Sequence, residues 1–163
     1  LKKIVLGVTG GIAAYKAAEL ARLFVRGGAD VHVVMTSAAT EFIAPLTFQV
    51  LTGHPVYVNM YADRSGEKIT HIDLLEETDL LVIAPATANI LAKMAVGLAD
   101  NLLSTLYLAA RCPVVVVPSM NVDMYEHRDC AGEYKQVNRT WLPCYGSGGR
   151  RTGLWSVRTG ADA

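Results

Sequence analysis

An α/β fold, a parallel sheet flanked by helices, is predicted for this chain by three observations. Short apolar runs alternate with helix-length segments from Ile4 to Val117. Val114–Val117 is a run of consecutive valines, the composition of a strand buried on both faces. The first apolar run ends in Thr9-Gly10-Gly11 and leads directly into an amphipathic stretch, as a strand-to-helix turn does. Strands alternating with helices build a parallel sheet through right-handed crossovers.

The elements follow in order. Ile4–Val8 is the first strand. Ile12–Arg26 is a helix with apolar residues at Ala13, Ala17, Leu20 and Phe24, stopped by Gly27-Gly28. Val31–Met35 is the second strand, with His32 packed inside it or at its edge. Helical pieces are expected over Ser37–Ile43 and over Leu46–Leu51, the latter ending before Gly53. Val56–Tyr61 is either strand or loop, and Asp63–Glu67 is a polar turn. His71–Glu76 is helical, capped by Thr70. Leu80–Ala84 is a buried strand, followed by helices over Thr87–Val96 and Asn101–Ala110. From Arg128 to Ala163 the periodicity stops and basic residues outnumber acidic ones. A tail without regular elements, poorly ordered, is the expectation there.

Composition narrows the function. The chain has 163 residues, of which 52% are hydrophobic and 18% charged, which excludes a disordered tail protein and is enough for one core. Lys+Arg and Asp+Glu are both 15, so the basic excess of a nucleic-acid binder is missing. A net charge near zero favours self-association. Cys112, Cys130 and Cys144 form no CxxC pair and suggest neither a metal site nor a disulfide framework. A reducing, cytoplasmic compartment is expected. No apolar run has the length of a membrane helix, and the first residues lack the anatomy of a signal peptide.

Four stretches can carry chemistry. Gly7-Val8-Thr9-Gly10-Gly11-Ile12 places a glycine turn between strand and helix, where free amides and the helix dipole attract a phosphate. It is neither GxGxxG nor a P-loop, and a purely structural turn competes with phosphate binding. Ala84-Pro85-Ala86-Thr87-Ala88-Asn89 follows a strand, the place where open parallel sheets bind ligands. Its small residues admit a flat ring, although Thr87 also suits a plain helix cap. Pro118-Ser119-Met120-Asn121-Val122-Asp123-Met124 sets a polar Asn and two methionines at a strand end, against the alternative of an ordinary loop. His71 stands just ahead of an apolar helical turn, where a structural or solvated histidine is the competing reading.

These stretches occur in one chain in this order, with Asp100-Asn101-Leu102-Leu103 after Gly97. Together they resemble the flavin-dependent cysteine decarboxylases. The first stretch, continuing Ala13-Ala14-Tyr15-Lys16, is most similar to the branch acting on phosphopantothenoylcysteine in coenzyme A biosynthesis. The resemblance covers about residues 1–127, an expected flavoprotein domain. It implies a Rossmann-like three-layer sandwich that assembles as homotrimers or homododecamers with FMN at a subunit interface. A fused or separate phosphopantothenate-cysteine ligase is the implied partner.

The resemblance also implies roles. Gly10, Gly11, Ile12 and Ala13 meet the flavin phosphate end. Thr36 and Ser37 line the same cofactor, and Thr87, Ala88, Asn89 and Ile90 contact the flavin. Ser119 and Met120 lie beside the ring system, with Ser119 where relatives often carry alanine. Asn121 binds the substrate carboxylate, and His71 is the catalytic histidine. In the implied reaction the substrate thiol passes a hydride equivalent to FMN and becomes a thioaldehyde, which then loses CO2. A peptidyl-cysteine substrate is a further alternative, which Ala13-Ala14-Tyr15-Lys16 disfavours.

Residues 128–163 depart from the pattern. The family carries a flap reading roughly GELACG and then GxGRM, with a cysteine that reduces the ene-thiol. Cys144 stands in Leu142-Pro143-Cys144-Tyr145, an unrelated context. Back-translated with suitable synonymous codons and read one nucleotide later, residues 129–134 give IAQENI. Residues 146–163 give EAEEGELACGAYGRGRMP in the same way. The tail therefore reads as a frameshifted form of the flap region. A chain carrying it as written is expected to bind flavin without completing turnover.

Overall fold

The computed structural model describes residues 1–59, 71–130, 141–145 and 151–158. Strand β1 (Lys3–Val8) lies at the centre of the sheet. It pairs in parallel with β2 (Asp30–Met35) on one side and β4 (Leu80–Ala86) on the other. β3 (Val56–Tyr57) extends the sheet beyond β2, and β5 (Val114–Pro118) pairs in parallel with β4. The strand order β3-β2-β1-β4-β5 reverses direction between β1 and β4. At such a switch point the connections leave on opposite faces and open a crevice at the carboxyl ends of the strands.

Strand alternation divides the core in two. Ile4, Leu6 and Val8 of β1 join Val31, Val33 and Met35 of β2 on one face. Helix α1 (Ala14–Arg26) covers that face with the small side chains of Ala14, Ala17 and Ala21, which let it sit close to the sheet. Helices α2 (Ser37–Thr40) and α3 (Pro45–Thr52) add Ala39 and the fully buried Phe48. Truncating such a phenylalanine costs about 3–5 kcal/mol. On the other face Val5, Leu81, Ile83, Val114 and Val116 meet α4 (His71–Leu75), α5 (Ala88–Val96) and α6 (Leu102–Ala109). α6 starts on a capping box: Ser104 N–H donates to Asn101 Oδ1 at 3.0 Å, and Asn101 N–H to Ser104 Oγ at 3.2 Å.

Most expected elements form, with shifts that have local causes. α1 begins at Ala14, so Ile12 and Ala13 belong to the turn before it. It ends at Arg26, where the Gly27 N–H donates to Leu23 O and Gly28 takes φ +81°. α2 stops at Thr40, short of the expected Ile43, and Pro45 begins a separate helix at a position that needs no amide donor. Val56–Tyr57 is strand. A short helix α7 (Val122–Glu126) occupies what read as loop, started by the Asn121 side chain, which accepts from Asp123 N at 2.7 Å. The polar turn 63–67 and Thr70 lie outside the described residues.

The expectation of a tail without regular elements is corrected. β6 (Trp141–Tyr145) and β7 (Arg151–Arg158) form an antiparallel pair, and β7 pairs antiparallel with β5. Backbone pairing with an open sheet edge needs no hydrophobic period, the signal whose absence prompted the expectation.

At the amino end of the sheet, opposite the crevice, Asp30 holds two imidazoles. His32 Nε2 lies 3.2 Å from Asp30 Oδ2 and His54 Nε2 2.7 Å from Oδ1. The two rings stack with centroids 4.2 Å apart, so His32 is a packed residue within β2, as expected. Burial raises the Asp30 carboxyl, but the hydrogen bonds from His32 and His54 outweigh it and hold the group below its ordinary value. Burial pushes His32 below its ordinary 6.5, against the hydrogen bond to Asp30, with His54 and Lys3 adding to the depression. A group depressed in the folded state takes up its proton first in the unfolded chain. Its stabilisation is complete above the unfolded value and is lost as pH falls toward the folded one. Melting temperature is expected to decline as pH falls below the ordinary value of 6.5 for His32. His32→Phe keeps a ring on His54 and takes up no proton, so thermal melts at successive pH values should show a shallower decline.

Candidate functional site

The crevice at the switch point is a cleft of about 810 Å3. The ends of four strands build it: Thr9–Ile12 after β1, Thr36–Ala38 after β2, Thr87–Ile90 after β4, and Ser119–Asn121 after β5. Lys93, Asp100, Asn101 and Met124 complete the wall. Its volume suits a drug-sized or cofactor-sized ligand.

The three stretches read from the sequence as strand-end turns therefore converge. Gly10, Gly11, Ile12, Thr36, Ser37, Thr87, Ala88, Asn89, Ile90, Ser119, Met120 and Asn121 all line the cleft. Ala13 instead lines an adjoining hollow of about 280 Å3 that shares Ser119 with it. His71 is the first residue of α4, and its side chain lies outside those described.

The turns are locked to one another. Thr9 is 1% exposed. Its hydroxyl donates to Pro85 O at 2.6 Å and accepts from Thr87 N at 3.0 Å, tying the β1 turn to the β4 turn. Thr36 N donates to Val8 O at 3.0 Å, and Ser119 N to Ala86 O at 2.9 Å, so neighbouring turns hang from adjacent strand ends. A Cβ on Gly10 would lie 2.6 Å from Ala38 Cβ and 2.7 Å from its carbonyl carbon, so only glycine lets these two turns touch. A Cβ on Gly11 meets only Thr87 Cγ2, at an ordinary 3.7 Å.

The polar inventory points to an anionic ligand with an apolar body. Thr36 Oγ1 is buried in the wall with no hydrogen-bond partner, which a ligand oxygen would supply. Thr87 caps α5, its Oγ1 accepting from Ile90 N at 3.4 Å, and leaves the preceding first-turn amides at the cleft. Lys93 Nζ donates to both Asp100 oxygens, at 2.9 and 2.7 Å, and Asn101 Nδ2 donates to Asp100 Oδ1 at 3.0 Å. The Lys93 hydrogen bond holds the Asp100 carboxyl below its ordinary value, so this rim carries a fixed, compensated pair.

Ala38 and Lys93 were not singled out from sequence, and Thr9, Asp100, Asn101 and Met124 stood in the quoted stretches without an assigned role. Thr9 had a signal, a polar residue at the end of an apolar strand. Lys93 and Asp100 are seven residues apart and meet only because the chain turns at Gly97, at φ +71°.

Known proteins resemble this chain in sequence and fold. Residues 1–144 match the model of the Flavoprotein family. The chain is 47% identical over 126 residues to the coenzyme A biosynthesis bifunctional protein CoaBC of Bacillus subtilis (strain 168), covering 77% of this chain and 31% of that protein. It thus spans about a third of that relative's length. Among solved structures, the FMN-dependent cysteine decarboxylase SpaF superposes with a TM-score of 0.79 at 31% identity, covering 95% of this chain and 89% of that one. A PPC decarboxylase mutant gives 0.72 at 29% identity, covering 84% and 81%. A cleft at the switch point of a parallel sheet, and a family match running through every turn that builds it, lead to one conclusion: the chain belongs to the Flavoprotein family.

Proposed function

We propose that this chain is an FMN-dependent decarboxylase that converts 4'-phosphopantothenoylcysteine to 4'-phosphopantetheine in coenzyme A biosynthesis. The observation that carries the reading is the cleft itself, with the unpartnered Thr36 hydroxyl in its wall, in a chain this similar to CoaBC. FMN fits the donor set: amides of the Gly10-Gly11 turn and the Thr36 hydroxyl suit its phosphate, and Ala88 and Met120 offer apolar surface to its ring. When bound it supplies the two-electron oxidation of the substrate thiol.

The chain's own residues orient and bind. Asn121 Oδ1 is already occupied by Asp123 N–H. That bond turns the amide so that its NH2 is the free end, a donor suited to the substrate carboxylate. Asn121→Asp places a carboxylate against a carboxylate and removes that donor. Apparent substrate affinity is expected to fall about 10- to 100-fold with FMN affinity unchanged; steady-state KM and an FMN titration check this, and an unaltered KM removes Asn121 from substrate binding. His71, at the start of α4, is the proposed catalytic residue.

Exposed Ile12 and Met124 on the cleft wall, with exposed Tyr15 and Val122 on α1 and α7, support subunit contact around the site. A homotrimer, or a multiple of it such as a homododecamer, is the proposed assembly, and sedimentation analysis tests it. Among the described residues no helix is long and apolar enough to cross a membrane. The cytoplasm is the proposed compartment, and a fused or separate phosphopantothenate-cysteine ligase the proposed partner. The experiment for the main reading is reconstitution with FMN followed by an assay of CO2 release from phosphopantothenoylcysteine.

A second reading rests on residues 128–163, where the family's flap cysteine has no counterpart in its context. In that reading the tail is a frameshifted flap region, and the chain binds FMN without completing turnover. Peptide mass spectrometry of the C-terminal region distinguishes them: peptides containing GELACG restore the complete enzyme, and peptides matching the tail as written favour the stalled protein.

A further inference from the structure

We infer that Thr9 is a positioning residue that holds the two ligand-gripping turns of the cleft at a fixed separation. The inference rests on the reading of the cleft as an FMN site. The Gly10-Gly11 turn and the start of α5 belong to different strands, β1 and β4, and reach the ligand from opposite sides of the switch point. Strand pairing does not fix their spacing there. The β1–β4 ladder runs only to Gly7↔Ile83, so beyond it few bonds hold the two chains together. Thr9 closes that gap. Its hydroxyl donates its one proton to Pro85 O and accepts from Thr87 N–H, and its own N–H reaches Pro85 O at 3.3 Å. At 1% exposure water does not take over these bonds. Thr87 is the N-cap of α5, so the bridge sets where the first amides of that helix point. Thr9 spends its hydroxyl on protein and acts through its neighbours.

The test is a set of threonine variants read by FMN titration and by the visible circular dichroism of bound flavin, which reports the asymmetry of its surroundings. Thr9→Val keeps the shape and the backbone bond to Pro85 O and removes the two hydroxyl bonds; FMN binding is expected to weaken about fivefold or more, with an altered flavin dichroism. Thr9→Ser restores both. Thr52→Val is the control: it removes hydroxyl bonds to Phe48 O and His54 N at the far end of α3, and should lower the melting temperature without changing flavin affinity or dichroism. If Thr9→Val does not fold, Thr9→Ala is read in the same way. A failure of both to fold while Thr9→Ser folds makes Thr9 a structural keystone and overturns the inference. Wild-type affinity and dichroism in a folded Thr9→Val protein also overturn it. A wild-type chain that binds no FMN refutes the underlying reading of the site instead.

Discussion

His71→Asn is expected to abolish CO2 release from phosphopantothenoylcysteine and to leave FMN binding intact. The expected loss is about 100-fold or more, the range for removing a positioned acid–base group. Asn keeps hydrogen-bonding capacity and similar bulk but cannot exchange a proton near neutral pH. The other described histidines are committed or remote. His32 and His54 are bound to Asp30 at the amino end of the sheet, away from the cleft. His127 caps α7 with an exposed side chain facing Asp129. His71 is the histidine proposed for the reaction. A carboxyl-release assay on the FMN-loaded variant checks this, with the visible spectrum confirming cofactor content. Full activity removes His71 from the mechanism.

Gly10→Ala should weaken FMN binding about tenfold or more, whereas Gly11→Ala should change it about threefold or less. The asymmetry follows from the contacts. At Gly10 the added methyl meets the Cβ and backbone of Ala38, so one turn must move away from the other. Neither opposing group is a flexible side-chain end, and both turns line the cleft. At Gly11 the methyl meets Thr87 Cγ2 at ordinary van der Waals distance. Parallel FMN titrations of the two variants make the comparison, and melting temperature shows how much of the loss is general. Equal affinities would mean that contact between the β1 and β2 turns does not shape the ligand site.

The sheet and most helices were legible because their signals are local. Val114–Val117 and Leu80–Ala84 are apolar runs of strand length, and Thr87 and Asn101 stand where helix caps belong. The cleft was legible one turn at a time, since each turn follows a strand and strand ends converge at the switch point. What escaped was set by tertiary partners. Nothing in sequence pairs Thr9 with Pro85 and Thr87 across more than seventy residues. α7 has five residues and an Asn side chain in place of an apolar stripe. β7 depends on the open edge of β5, and β6 on β7, which periodicity cannot reveal.

The most direct test loads the chain with FMN, excludes oxygen, and follows labelled CO2 from carboxyl-labelled phosphopantothenoylcysteine. CO2 release is expected, continuing if the flap chemistry is present and stopping at an amount stoichiometric with bound FMN if it is not. A chain that binds no FMN, or binds it and releases no label, contradicts the decarboxylase assignment.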